Sequence, residues 1–135
     1  MIAVDTNVVV RLLTGDDAKQ SAAAKSLFEA GPIWIAKTAL LETCWVLGSI
    51  YGFDQDEIRD ALNMLLGLGN VHVEDATAVA SALALTAYGI EFADAIHLFS
   101  KPPGTGFVSF DKSFVRGARR AGATEVAGLV GGDRS

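Results

Sequence analysis

A chain of 135 residues, half of them hydrophobic and with a formal charge of −5, is long enough and apolar enough to bury the core of one domain. A mean hydropathy of +0.34 argues against disorder, and a single cysteine, Cys44, excludes an intrachain disulfide and suits a reducing compartment. The acidic total argues at first against a nucleic-acid partner, although four of the eleven Lys/Arg residues (Lys112, Arg116, Arg119 and Arg120) crowd into nine positions.

In chain order, IAV (2–4) reads as a short buried strand ending at Asp5, and TNVVVRLL as a helix starting near Thr6. DDAKQSAAAKSLFEAG is a helix capped by Asp16 or Asp17 and stopped by Gly31. PIWIA (32–36) is a strand, with Pro32 in the first position that proline tolerates. TALLETCWVLGSIYG is a long apolar helix ending at Gly52. DQDEIRDALNMLLGLG is amphipathic, with Asp54 and Glu57 in capping positions and Ile58, Leu62 and Leu65 on one stripe. NVHVE (70–74) is a strand, and ATAVASALALTAYG a helix without a charge. FADAIHLFSK is a further helix, KPPGTG a turn, GFVSF a strand, DKSFVRGARRAG a helix and TEVA a last strand. The end of the chain, 128–135, reads as a flexible tail. Strands alternating with helices predict an α/β fold, a short central parallel sheet flanked by helices, in one domain over 1–127. The N-terminal apolar run carries Asp5 and Arg11 and no small-residue cleavage site, and 76–90 is too short to span a bilayer. A cytoplasmic protein with no membrane partner is expected.

Several acids stand where a core should be. Asp5 and Asp111 directly follow strands, the place where open parallel sheets build sites. Glu42 is the only charge between Lys37 and Asp54, and Asp94 lies inside FADAIHLF one turn after Glu91. Taken singly, each acid is explained by a helix cap or an ion pair. Together, carboxylates from four segments at one sheet edge would repel one another unless a cation intervenes, and oxygen-only clusters suit Mg²⁺ or Mn²⁺. Setting aside Asp5, Glu42, Glu91, Asp94 and Asp111 leaves acids and bases equal in number, so the excess acidity is formally that of the pocket.

In order and spacing, DTN after the first strand, Glu42 in TALLE, Asp94 in FADAIHL and Asp111 in FVSFDKSF resemble the PIN-domain nucleases, and among them the VapC-type toxins of prokaryotic toxin–antitoxin pairs. The resemblance runs from Ile2 to about Val126. It implies a doubly wound sandwich around a short parallel sheet. It also implies that Asp5, Glu42, Asp94 and Asp111 bind Mg²⁺ or Mn²⁺ and carry catalysis. Asn7 matches the polar residue that orients the pocket, and Thr6 a helix-capping neighbour. Ser109 stands where a hydroxyl would bond a carboxylate or phosphate, and Glu91 is a fifth acid. The expected activity is hydrolysis of RNA phosphodiester bonds, with a cognate antitoxin and a homodimer through the helices at 38–51 and 76–90.

On the helix after Asp111, Lys112, Arg116, Arg119 and Arg120 share an arc opposite Phe114, Ala118 and Ala121. That is either an ordinary solvated face or an RNA-phosphate surface, and its place beside Asp111 favours the latter. Arg11 is a weaker candidate. His97, one turn after Asp94, either supports the site or, as is commoner for a lone histidine in an apolar helix, is a core residue; His72 in its strand is a weaker site candidate still, and Cys44 reads as packing. Asp5→Ala or Asp94→Ala is expected to abolish cleavage with the fold retained, and to raise metal-free stability by relieving repulsion. A non-cleaving PIN-like module that binds RNA or protein is the alternative. A phosphatase is disfavoured because Asn7 breaks an Asp-x-Asp repeat, and a receiver domain because Lys112 is wrongly placed relative to Asp111.

Overall fold

The computed structural model of the chain describes residues 1–130, in two compact units, Met1–Ala76 and the described residues from Thr77 on. In the first, β1 (Ile2–Ala3), β2 (Ile33–Ile35) and β3 (Val71–Val73) form a parallel sheet in the order β1-β2-β3, with Ile2 opposite Ile33 and Ile33 opposite Val71. Ile33 and Ile35 are buried completely, together with Val9, Leu40, Leu47, Leu62 and Leu65 from the helices. The first strand departs from expectation. Ile2 is 53% exposed, with β1 at the end of the three-strand order among the described residues.

The helices of this unit are α1 (Thr6–Thr14), α2 (Ala18–Ala30), α3 (Lys37–Ser49) and α4 (Gln55–Leu66). Asp17 caps α2, accepting from the Gln20 N–H at 2.9 Å. Asp16 is thereby free for another task. It accepts from Arg11 Nη1 at 3.0 Å, the Thr14 hydroxyl at 2.9 Å and the Tyr51 hydroxyl at 2.6 Å, while Arg11 Nε donates to Gln20 Oε1 at 2.7 Å. The Tyr51 hydroxyl is the main cause that holds the Asp16 carboxyl below its usual range. This knot ties α1, the turn after it, α2 and the end of α3 together, which gives Arg11 a structural task. α3 ends at Ser49, earlier than expected, and Gly52 takes the left-handed φ of +71° in the turn that follows. The Asp54/Glu57 capping box starts α4 as its sequence dictates.

In the second unit, α5 (Ala76–Leu85) passes into a 3₁₀ turn (Thr86–Tyr88), followed by α6 (Phe92–Phe99), β4 (Phe107–Ser109), α7 (Lys112–Arg120) and β5 (Val126–Gly128). β4 and β5 pair in parallel, with Phe107 opposite Val126. The uncharged α5 buries Ala78, Val79, Ala82, Leu83 and Leu85, so most of its apolar surface is core. α7 packs on β4 and β5, with the Phe107 and Phe114 rings 5.6 Å apart. Among the described residues the strand pairs are parallel, as expected, but they are shared between a three-stranded and a two-stranded sheet. The last strand reaches Gly128, and the Leu129 N–H donates to the Ser109 carbonyl at 2.8 Å. The rest of the expected tail, from 131 on, lies outside the described residues. Among the described residues no helix is long and apolar enough to cross a membrane.

Candidate functional site

The DTN stretch turns β1 into α1, and its packing against α3 brings Thr6 beside Glu42. Asp5 is the N-cap of α1, its Oδ1 accepting from the Val8 N–H at 3.1 Å. The Thr6 hydroxyl donates to Glu42 Oε1 at 2.6 Å. This reverses the expected roles, in which Thr6 capped the helix and Asp5 stood clear of it. The reason is chain direction. Asp5 is the last extended residue (φ −93°, ψ 178°), so its side chain folds over the first turn, whereas Thr6 already lies inside the helix and points across to α3. A groove with a cavity volume of about 560 Å³ is lined by Asp5, Thr6, Asn7, Glu42, Trp45 and Val46.

Asp5, Asn7 and Glu42 are exposed, so Glu42 is not the buried charge its apolar helix implied. α3 buries Ala39, Leu40, Thr43 and Leu47 on one side only, and Glu42 stands off that side. Each carboxylate of the groove uses one oxygen in the contact just described, Asp5 Oδ1 and Glu42 Oε1. The second oxygen of each is a hard donor outside those two bonds, a chemistry that fits an oxygen-seeking divalent cation.

In the second unit, Asp94 sits in the first turn of α6 and is exposed, with Glu91 at the N-cap position making no side-chain cap bond. His97, one turn on, is exposed as well and is not the core residue expected; Phe92, Ala95, Ile96 and Leu98 form the buried side of this short helix. His72 is exposed too. Asp111 caps α7, its Oδ1 accepting from the Phe114 N–H at 3.1 Å. The Ser109 hydroxyl oxygen accepts from the Asp111 N–H at 3.0 Å, a bond that uses a lone pair and leaves the hydroxyl proton to donate. Lys112, Arg116, Arg119 and Arg120 are exposed while Phe114, Val115, Gly117 and Ala118 are buried. Arg119 also donates from Nε to the Val126 carbonyl at 2.7 Å, which pins α7 to β5. Of the four main acids, Asp5 and Glu42 share the groove, while Asp94 and Asp111 stand in the second unit. Among the described residues no three His, Cys, Asp or Glu side chains form a group that would hold a metal ion.

The family model of the PIN domain matches residues 2–119, through both units. The chain belongs to the PIN-domain family. Among solved structures it is similar to the crystal structure of VapC20 from Mycobacterium tuberculosis, described as a toxin that cleaves the sarcin–ricin loop. Identity is 24%, the match covers 93% of this chain and 98% of that one, and the TM-score is 0.44. No curated protein matches the chain.

Two features of this PIN domain escape a sequence reading. Trp45 lines the groove at 65% exposure, although a tryptophan in an apolar helix reads as core; its spacing of three from Glu42 was the available signal. The Tyr51–Asp16–Arg11 knot joins residues up to 40 positions apart, a separation that no local pattern encodes.

Proposed function

We propose that this PIN domain, taken as one domain over 1–127, is a metal-dependent endoribonuclease and the toxin of a toxin–antitoxin pair. The observation that carries the reading is the Asp5–Glu42 carboxylate pair in one open groove, with Thr6 bracing Glu42. Mg²⁺ or Mn²⁺ is assigned to Asp5, Glu42, Asp94 and Asp111, and when bound it supplies charge neutralisation at the phosphodiester and activation of the attacking water. The chain's own contribution is positional. Asp5 is fixed by its capping bond and Glu42 by Thr6, so both present an oxygen without searching rotamers. Asn7 offers an amide at the groove, and Glu91 and Ser109 flank Asp94 and Asp111 in sequence as supporting residues. Lys112, Arg116 and Arg120, with the remaining N–H groups of Arg119, supply RNA-phosphate contacts. The same reading includes a cytoplasmic location, a cognate antitoxin whose Arg would pair with the acids, and a homodimer through the exposed side of α5 and the C-terminal end of α3. Light scattering tests the dimer: a monomer at every workable concentration removes it.

The direct test is cleavage of total RNA in Mg²⁺ and in Mn²⁺ by the wild type, Asp5→Asn and Asp94→Asn. Activity in the wild type and loss in both variants is expected; equal residual activity in all three would mark a contaminant and sink the assignment. A second reading is a PIN-like module that binds RNA or protein without cutting, in which the exposed arc of α7 serves binding alone. Calorimetric titration with Mn²⁺ separates the two, since a binding-only module has no need to hold the ion.

A further inference from the structure

We infer that Trp45 is the substrate-stacking residue of the groove: its indole takes an unpaired base of the RNA strand whose phosphodiester lies at Asp5 and Glu42. The inference rests on the nuclease reading above and adds a substrate requirement to it. Trp45 lines the same groove as the two acids and keeps 65% of its surface open. It sits one turn beyond Glu42, and side chains so spaced on a helix have Cβ atoms about 5–6 Å apart. A base laid on the indole therefore keeps its own backbone beside the carboxylates.

The surroundings favour a base over a protein partner. On the arc of α3 around Trp45, Thr38, Glu42 and Ser49 are polar and exposed, while the apolar Leu41 and Val46 are half-buried and the exposed Ile50 lies just past the helix end. A protein interface core is contiguous, apolar and depleted in charge, whereas a stacking platform needs one flat aromatic face in a polar groove. The same helix offers no cation for a phosphate. Its one basic residue, Lys37, is bound to Asp75 at 3.2 Å. Affinity at this end of the groove then has to come from the π-face, which does not discriminate strongly between bases but does demand an unpaired one. Stacking is also insensitive to salt, whereas the contribution of α7 is not.

The test uses the full chain with Trp34→Phe, which leaves Trp45 as the only indole, titrated with single-stranded octaadenylate in Ca²⁺. Saturable quenching is expected, and none with an abasic oligomer of equal length or with a fully paired duplex. Trp45→Ala should weaken octaadenylate binding by roughly 5- to 100-fold, by the same factor at 50 mM and 200 mM salt, while Trp45→Phe retains most of the affinity. Arg116→Ala with Arg120→Ala should instead lower the slope of affinity against salt. Equal quenching by the abasic oligomer, or unchanged affinity in Trp45→Ala, overturns the inference. So does quenching on raising protein concentration alone, with loss of self-association in Trp45→Ala, which would make Trp45 a contact between copies. If the wild type cleaves RNA and Trp45→Ala cleaves it equally well, stacking fails and the nuclease reading stands. If the wild type neither binds nor cleaves RNA, both fall.

Discussion

At Asp5, two duties compete for one carboxylate. It caps α1 through Oδ1 and is assigned to the metal through its charge, so replacing it by alanine removes both at once. Contrary to the expectation from repulsion alone, Asp5→Ala should lower metal-free stability by about 1 kcal/mol, the usual worth of an N-cap, whereas Asp5→Asn keeps the cap. Chemical denaturation should therefore find Asn close to the wild type and Ala below it, with cleavage lost in both. At Thr6 the effect is the opposite kind. Thr6→Val removes the bond to Glu42 and, the site being exposed, should cost no more than about 1 kcal/mol of stability, yet lower cleavage roughly tenfold, about 1.4 kcal/mol of barrier. Thr6→Ser should restore the rate; failure of that rescue would leave the brace without a role in catalysis. Cys44 gives a pH prediction. Burial pushes its thiol from 9.0 up to about 12, so between these values the unfolded chain releases a proton that the folded chain keeps. Stability then falls as pH rises through that window, and Cys44→Ala should flatten the fall in a series of urea melts.

Among the elements, caps and turns were the most legible in the sequence. Asp17, the Asp54/Glu57 box and Asp111 all act as N-caps at helix starts, because a cap is a local bond between residues three apart. Helix faces were less legible. α3 and α6 carry so many apolar residues that their exposed sides, with Glu42, Trp45, Asp94 and His97, read as buried. Periodicity marks an amphipathic stripe but cannot say which side of a wholly apolar helix meets the core. Gly117 is a case where the element needs what propensity disfavours. A Cβ there would stand 3.1 Å from Ile90 Cδ1, 3.2 Å from its Cγ1 and 3.3 Å from the Tyr88 carbonyl oxygen. Gly117→Ala in a free helix would gain about 1 kcal/mol, but in this close approach overpacking costs about 1–3 kcal/mol. The backbone carbonyl has less room to yield than the isoleucine tip, so thermal denaturation should show a lowered midpoint; a raised one would mean that the 88–90 segment gives way.

Over the whole molecule, the proposed metal site ties stability to the charge pattern. The five acids set apart in the sequence account for the excess of acids over bases, and an ion that binds the folded chain alone stabilises it by RT ln(1 + [L]/Kd), about 2.7 kcal/mol at one hundred times Kd. Mn²⁺ should therefore raise the melting temperature of the wild type and leave Asp5→Asn unmoved. If Asp94→Asn keeps the full rise, Asp94 is not a ligand. The sequence by itself determined the family, the order of strands and helices, and the parallel pairing implied by their alternation. These follow from patterns a few residues long and from motifs in fixed order. Tertiary structure decided the rest: that Asp5 and not Thr6 is the cap, that Thr6 instead holds Glu42 across 36 residues, that Arg11 is tied into the knot with Asp16 and Tyr51, and that Trp45 faces the groove. Each of these depends on which faces of α1, α2 and α3 meet, and that is settled by packing between segments distant in the chain.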